Sequence, residues 1–455
     1  MDNLREKIGF KEKVSYGLGD VACGLVYVLS CTFVAFFYTD GIGLNPAIVG
    51  SIIMFSRLFD GISDIAAGYI VDKTKSKHGK ARAWILRTAI PIAACLVLTF
   101  TVPDGNGVWT YVYVAITYNL VNSVCYTMVN IPYGTLNSLM TRNQDQRMVI
   151  NTFRMTMAQV GAMITNMITL PLVNAFGGSS SKKSWVIVAT IYAVIAAVML
   201  LVCFYNTKER VSADEESKKE NISLLKAFKV AMKNQYWIIL VIVEVVMIFG
   251  AAMAGAGGTY YAKYILGNEN IIGVFSAINY APAFILIPCL PKISAKIGKR
   301  NIALAGGILG VIGQILTLLN PVALGWLIFC SLIKGIGSVM IMGTVFAMVA
   351  DTIEYGHWKT GERVEGVLYS ATSFGTKVGG GVGAAVSMGI LGAAGYDGLA
   401  ATQTAEAINA IKNLYLYVPM AVLGLLPILF YMYKLDKIFP QVMEELLQRE
   451  KSKNN

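Results

Sequence analysis

Apolar runs of about 20 residues recur along the chain, separated by short polar segments. They fall near 20–39, 47–71, 84–103, 108–134, 148–174, 184–205, 236–264, 270–291, 301–319, 323–350, 366–395 and 411–433. About 20 apolar residues in a helix cross the hydrocarbon core of a bilayer. The pattern therefore predicts an all-α membrane protein with twelve transmembrane helices. An even number of crossings puts both termini on one side. Several runs exceed the minimum, enough to tilt or to carry a break.

The polar segments carry an uneven charge. With the N-terminus inside, the inner segments 1–14, 72–83, 141–147, 206–235, 292–300, 351–365 and 434–455 hold 29 Lys and Arg. The outer loops hold about four: Lys182, Lys183, Lys263 and Lys412. Lys and Arg accumulate on the cytoplasmic side of membrane proteins. Both termini are thus expected in the cytoplasm, with the chain in the plasma (inner) membrane. Trp84, Trp109, Trp185, Trp237 and Trp326 lie near span ends, where an interfacial belt would stand. The first apolar run is too long for the core of a cleavable signal peptide.

Composition narrows the classes. The 455 residues are 55% hydrophobic and 14% charged. So few charges cannot coat a soluble globule of this size. The net charge of +11 is dispersed among loops, so a nucleic-acid surface is not expected. The seven Cys stand singly in apolar runs, with no disulfide or metal spacing. Both His residues, His78 and His357, fall in polar segments. With no nucleophile–base pair and no His in a span, neither an enzyme nor a His proton relay is predicted.

The longest polar stretch, 206–235, divides the chain into 1–205 and 236–455, each with six spans. Part of that linker, Ile222 to Met232, is amphipathic enough to lie on a membrane surface. The halves echo each other: "DKTKSKHGKAR" follows the second span and "PKISAKIGKR" the eighth. Two six-helix halves with such a basic loop in each resemble the major facilitator superfamily. Halves of that kind rock about a central site near the midplane.

Ionisable groups inside spans cost about 2.5–3.5 kcal/mol each on insertion scales and mark function by default. Arg57, Asp60, Asp64, Arg154, Glu244, Lys334 and Lys377 are such groups, with Asp20 and Arg87 nearer helix ends. Arg57, Asp60 and Asp64 are three and four residues apart, so they share one helical face. Two carboxylates against one guanidinium leave one negative charge. A hard cation or a proton would neutralise it, with Ser63 and Thr127 as neutral oxygen donors. The alternative is an ion-paired lock in which the second Asp meets Arg154 or Lys377. Glu244 and Lys334 have no motif around them. Tyr27, Tyr126 and Asn130 offer rings and an amide suited to a sugar.

Four segments, in order and across both halves, resemble the glycoside–pentoside–hexuronide:cation symporter family. They are "SYGLGD" with "FFYTDGIGL", "RLFDGISD" running into "VDKTKSKHGKARAW", "NIPYGTL", and "VADTIEYGHWKTGER" followed by Lys377. The resemblance implies a sugar symporter driven by Na⁺, H⁺ or Li⁺, working by alternating access; it is expected to function as a monomer in the bilayer and to use no other cofactor. It casts Asp60, Asp64 and Thr127 as cation ligands. Arg154 and Lys377 match cationic positions near the sugar and cation sites.

The chain also departs from the melibiose-carrying members. Their sugar-holding carboxylates fall on Gly24 and Asn130 here, and their tryptophans on Gly134 and Met342. Ser63 replaces an asparagine between the paired Asp residues. Two lost carboxylates beside retained cations make a hexuronide an expected alternative to a neutral glycoside. In the loops, Asp72, Lys80 and Arg82 of one half and Asp351, Glu354 and Arg363 of the other are expected to form ion pairs closing an inner gate. The competing expectations are a lipid or lysolipid carrier of the same fold and a non-transporting membrane sensor.

Overall fold

The structure is a computed structural model that describes residues 8–105, 107–141, 143–210, 229, 231–361, 365–400 and 402–454. Within its helices, the side chains at 62, 65, 72, 144, 145, 148, 365–374, 447 and 450–454 are not described. The helices in chain order are α1 Phe10–Gly41, α2 Pro46–Lys73, α3 Arg82–Phe100, α4 Val108–Met140, α5 Gln144–Ala175 and α6 Lys182–Asn206. Then come α7 Gln235–Tyr264, α8 Ile271–Ile297, α9 Lys299–Leu319, α10 Leu324–Thr360 and α11 Glu365–Ala393. The twelfth, α12, joins Ala405–Lys412, Asn413–Tyr417 and Val418–Met432, and α13 Leu435–Asn454 follows it.

Ten helices among the described residues are long and apolar enough to cross a membrane. The two remaining predicted spans coincide with α2 and α11, of 28 and 29 residues. Local chemistry sets several ends. Asn45 caps α2 by accepting from the amides of Ala47 and Ile48, with Pro46 in the first turn. Gly361 ends α10 in the left-handed region, φ 74°. Among the described residues, prolines lie inside six helical elements, among them Pro91 in α3, Pro132 in α4 and Pro171 in α5. Neighbouring helices in a membrane bundle tolerate these breaks.

The chain forms two compact units. The first comprises Met1–Lys219, Gly258–Ala277 and Ala384–Ile411; the second comprises Glu220–Gly257, Ile278–Gly383 and Lys412–Asn455. These units do not coincide with the sequence halves: one end of α7, α8, α11 and α12 packs with the first unit.

The first unit has an aromatic core in which Phe37, Phe100 and Trp185 meet, with ring centroids 4.9 and 6.0 Å apart. Trp185 is fully buried and its indole N–H donates to the Ser179 carbonyl at 2.7 Å. Trp237 is also buried. Neither is therefore a lipid-facing anchor, contrary to the expectation from position along the spans. Trp109, 84% exposed, keeps an anchor's placement. In the second unit, Tyr236, Val345, Tyr355 and Tyr433 form a core to which Val442 and Leu446 of α13 belong.

Gly-rich α11 lies directly on α7. A Cβ at Gly379 would stand 2.6 Å from the Val245 carbonyl oxygen, and one at Gly383 2.8 Å from that of Phe249. Small residues permit such backbone approach between membrane helices.

Candidate functional site

Helical spacing does place Arg57, Asp60 and Asp64 together, and packing then gives each a different neighbour. Arg57 Nη1 donates to Asp60 Oδ2 at 3.3 Å. Its Nη2 reaches Cys31 Sγ on α1 at 2.7 Å, and its guanidinium stands 5.4 Å from the Tyr27 ring centroid. Asp60 is 3% exposed. One turn on, Asp64 Oδ1 accepts from Thr127 Oγ1 of α4 at 3.2 Å. The Ser63 hydroxyl donates to the Asp60 carbonyl at 2.9 Å. Its proton serves the helix, and the oxygen's lone pairs are not used in that bond.

Two π-helical turns adjoin this cluster: Leu29–Phe33 in α1 and Leu120–Tyr126 in α4. Single π turns re-aim side chains and recur at functional sites. Here they bring three polar groups together. Asn122 Oδ1 accepts from Ser30 Oγ at 2.8 Å and from Cys31 Sγ at 3.4 Å, and its amide donates to the Tyr118 carbonyl at 3.2 Å. Sequence reasoning passed over Asn122 and read Cys31 as a small hydrophobe. The available signal was an asparagine in the middle of a span, where an amide is costly unless bonded.

A second cluster lies on α1, α4 and α5. Arg154 Nε donates to Asp20 Oδ2 at 2.8 Å. Tyr16 and Tyr133 stack beside the pair with centroids 4.6 Å apart, each hydroxyl donating to the other's backbone carbonyl. Arg154 stands over the Tyr133 ring at 5.2 Å. Tyr27 and Tyr126 form another ring pair at 5.6 Å, and Tyr27 is 42% exposed. Asn130 and Gly24 are half-buried. Arg154 thus meets Asp20, not Asp60 or Asp64.

A third cluster joins three segments at one end of the first unit. Asp40, fully buried, accepts at Oδ1 from Lys263 Nζ at 2.7 Å, Tyr264 at 2.9 Å and Tyr396 at 2.8 Å. Its Oδ2 accepts from Thr39 at 2.7 Å, whose hydroxyl also meets that of Tyr260 at 2.8 Å. The motif containing Asp40 was visible in the sequence, its partners more than 200 residues away were not.

The basic loops show a repeated device. Glu209, just past α6, accepts from the backbone amides of Lys80, Ala81 and Arg82 at 2.9, 2.9 and 2.8 Å. Arg82 returns a bond to the Phe204 carbonyl at 2.7 Å. In the second unit, Asp436 accepts from the Arg300 amide at 2.8 Å, and Arg300 bonds the carbonyls of Phe430 and Tyr431 at 3.0 and 2.8 Å. Asp351 pairs with Lys299 at 2.6 Å. Glu354 lies on α10 near it, and Lys377 lies half-buried on α11 among its glycines. The Asp72 side chain, Arg363 and the linker stretch 211–228 lie outside the described residues.

Comparison with known proteins bears on this arrangement. A family model described as "MFS/sugar transport protein" matches residues 15–437. The isoprimeverose transporter of Lactiplantibacillus pentosus is 35% identical over 99% of this chain and 94% of its own length. The uncharacterized symporter YnaJ of Bacillus subtilis is 32% identical, covering 98% and 96%. The glucuronide carrier protein homolog of Escherichia coli K12 is 30% identical, covering 98% of both. Among solved structures, the bacterial homolog of the human lysosomal transporter Spinster superposes with TM-score 0.68 at 13% identity, over 95% of this chain and 97% of that one. The nucleoside transporter NupG gives 0.61 at 14%, over 94% and 98%. These two likenesses concern the fold.

Proposed function

Because the chain belongs to the MFS/sugar transport protein family, we propose that it is a secondary active transporter that carries a sugar across the membrane together with a cation, by alternating access. The lipid-carrier and sensor readings find no support in a family of sugar transporters. The observation that carries the coupling is the pair of α2 carboxylates with one guanidinium. Arg57 engages Asp60, while Asp64 sits one turn away with the Thr127 hydroxyl. Carboxylate oxygens in a low-dielectric setting are where a bound cation gains most.

In this reading Asp60, Asp64, Thr127 and the Ser63 oxygen hold Na⁺, Li⁺ or, on a carboxylate, H⁺. Hard cations favour oxygen donors of this kind. In the first unit the sugar lies against Arg154, Asn130, Tyr126, Tyr27 and the open position at Gly24; in the second unit Lys377 on α11 is the substrate-binding candidate. The loops containing Asp72, Arg82, Asp351, Glu354 and Arg363 work on the inner side, with both termini in the cytoplasm and the chain in the plasma membrane as a monomer.

Right-side-out vesicles containing the full chain test the proposal. Radiolabelled isoprimeverose, a neutral glycoside panel and a glucuronide are offered with an inward Na⁺ or H⁺ gradient. Uphill accumulation of one sugar that collapses with the gradient is expected. Absence of gradient-driven accumulation for every sugar overturns it.

A further inference from the structure

We propose that Cys31 and Asn122 are positioning residues for cation coupling: together they hold one corner of Arg57 away from Asp60, so that a cation can win that carboxylate. The inference rests on the cation-coupled reading above and names what tunes its affinity.

A guanidinium commonly grips a carboxylate with two parallel N–H bonds of about 2.7–2.9 Å. Three residues of helix bring Arg57 within reach of Asp60, yet the contact between them is 3.3 Å and comes from Nη1. Nη2, a corner that such a grip would use, is turned to Cys31 Sγ on α1 at 2.7 Å. Tyr27, one turn before Cys31 on α1, has its ring centroid 5.4 Å from the guanidinium. Arg57 is thus shared between α1 and Asp60, and its closer contact is with α1.

A thiol is a weak donor and a weak acceptor. By itself it would compete poorly with a carboxylate for a guanidinium. The neighbouring amide orients it. Asn122 Oδ1 on α4 accepts from Cys31 Sγ at 3.4 Å and from Ser30 Oγ at 2.8 Å. With the thiol proton committed to Asn122, the sulfur acts on Arg57 as an acceptor. Asn122 is held in turn, since its amide donates to the Tyr118 carbonyl at 3.2 Å. Asn122 is 3% exposed and Ser30 is fully buried. A chain of contacts therefore runs from Asn122 through Cys31 and Arg57 to Asp60, across α4, α1 and α2.

The backbone is built for this seat. Cys31 and Ser30 lie in the π turn Leu29–Phe33, and Asn122 lies in the π turn Leu120–Tyr126. Adjacent residues of a regular helix point about 100° apart. Here two adjacent side chains reach one amide oxygen, from a turn whose register departs from the regular one.

The consequence is a competition. Arg57 and a transported cation seek the same Asp60 charge. A guanidinium closed fully onto Asp60 would neutralise it from within and leave the cation less to gain. A missing guanidinium would strand a buried carboxylate whenever the site is empty. Held between the two, Arg57 compensates Asp60 in the empty site and yields it when a cation arrives. The competition works in the same sense for Na⁺, Li⁺ and H⁺, because each acts on the one carboxylate.

The test uses right-side-out vesicles containing the full chain and the radiolabelled sugar that wild type accumulates from the panel above. It reads the concentration of the driving cation at half-maximal uptake and the maximal rate per transporter in the membrane. Cys31→Ala frees Arg57 to close onto Asp60. It is expected to raise the half-maximal concentration about fivefold or more, with the maximal rate recovered at saturating cation. Cys31→Ser, whose hydroxyl can give and take the same bonds, is expected within about twofold of wild type. Asn122→Ala should move the half-maximal concentration in the same direction as Cys31→Ala. The double variant should lie within about twofold of the worse single, since both act through Arg57.

A role in packing alone would instead lower the maximal rate and leave the half-maximal concentration unmoved, and that result overturns the proposal. So does Cys31→Ala within twofold of wild type, or Cys31→Ser as impaired as Cys31→Ala. Wild type that accumulates no sugar with any cation gradient is a different result: it removes the symport reading, and this inference falls with it.

Discussion

Thr127 donates its hydroxyl to Asp64 across the α2–α4 contact at 3.2 Å. That bond ties a carboxylate of the proposed cation site to the helix carrying Tyr126 and Asn130. A cation drawing Asp64 toward itself would also bear on α4, so this bond would give occupancy at the proposed cation site one route to α4.

Asp64→Asn is expected to abolish cation-stimulated sugar accumulation while sugar exchange down a gradient persists. Thr127→Val, which keeps shape and removes the oxygen, should weaken cation affinity about five- to tenfold, in line with about 1 kcal/mol for one such bond. Calorimetric titration of Na⁺ and Li⁺ checks both. Unchanged cation dependence in Asp64→Asn would remove this carboxylate from coupling.

Arg57→Ala leaves Asp60 buried without its guanidinium. Breaking a buried pair by deleting one partner costs about 3–5 kcal/mol, so the thermal midpoint in detergent should fall clearly. The double variant Arg57→Ala with Asp60→Ala should recover part of the loss, since no charge is then stranded. A double variant as unstable as the single one would show that Arg57 acts through Cys31 and Tyr27 instead.

Glu209→Ala removes the acceptor for three backbone amides at the start of α3. Loss of such a cap costs about 0.5–2 kcal/mol. Asp436→Ala removes the acceptor for one amide at the start of α9 and should cost less. A thermal unfolding series of the two single variants ranks them, and an equal or reversed order would contradict the bond inventory. Gly79→Ala is expected to be at least as damaging as Glu209→Ala: its φ is +96°, and a Cβ would stand 2.4 Å from the Glu209 carboxyl carbon.

Asp40→Asn keeps the size of the side chain but strips the charge that faces Lys263. Leaving that ammonium without its carboxylate should lower stability by about 3–5 kcal/mol. The double variant Asp40→Asn with Lys263→Met should be closer to wild type. Fluorescence-detected size exclusion after heating gives the comparison.

Much of the fold was legible from the chain alone. Twelve apolar runs give twelve helices because a bilayer demands length and apolarity within one continuous segment. The Arg57, Asp60 and Asp64 face was legible for the same reason, since three- and four-residue spacing is fixed by the helix itself. What lay beyond reach was which helix each face would meet. Trp185 has an interfacial position along its span but turns into an aromatic core.

The sequence by itself determined the membrane class, the spans, the repeated basic loops and the two carboxylates on α2, all of them properties of local composition and helical period. Only the tertiary structure decided that Arg154 belongs to Asp20, that Cys31 and Asn122 adjoin Arg57, that Glu209 and Asp436 cap the helices after the basic loops, and that Asp40 gathers Lys263 and Tyr396. Each of those pairings joins residues distant in the chain. Their partners follow from how helices rotate and pack against one another, and at α1 and α4 from π turns that shift the facing residues out of the regular 3.6-residue register.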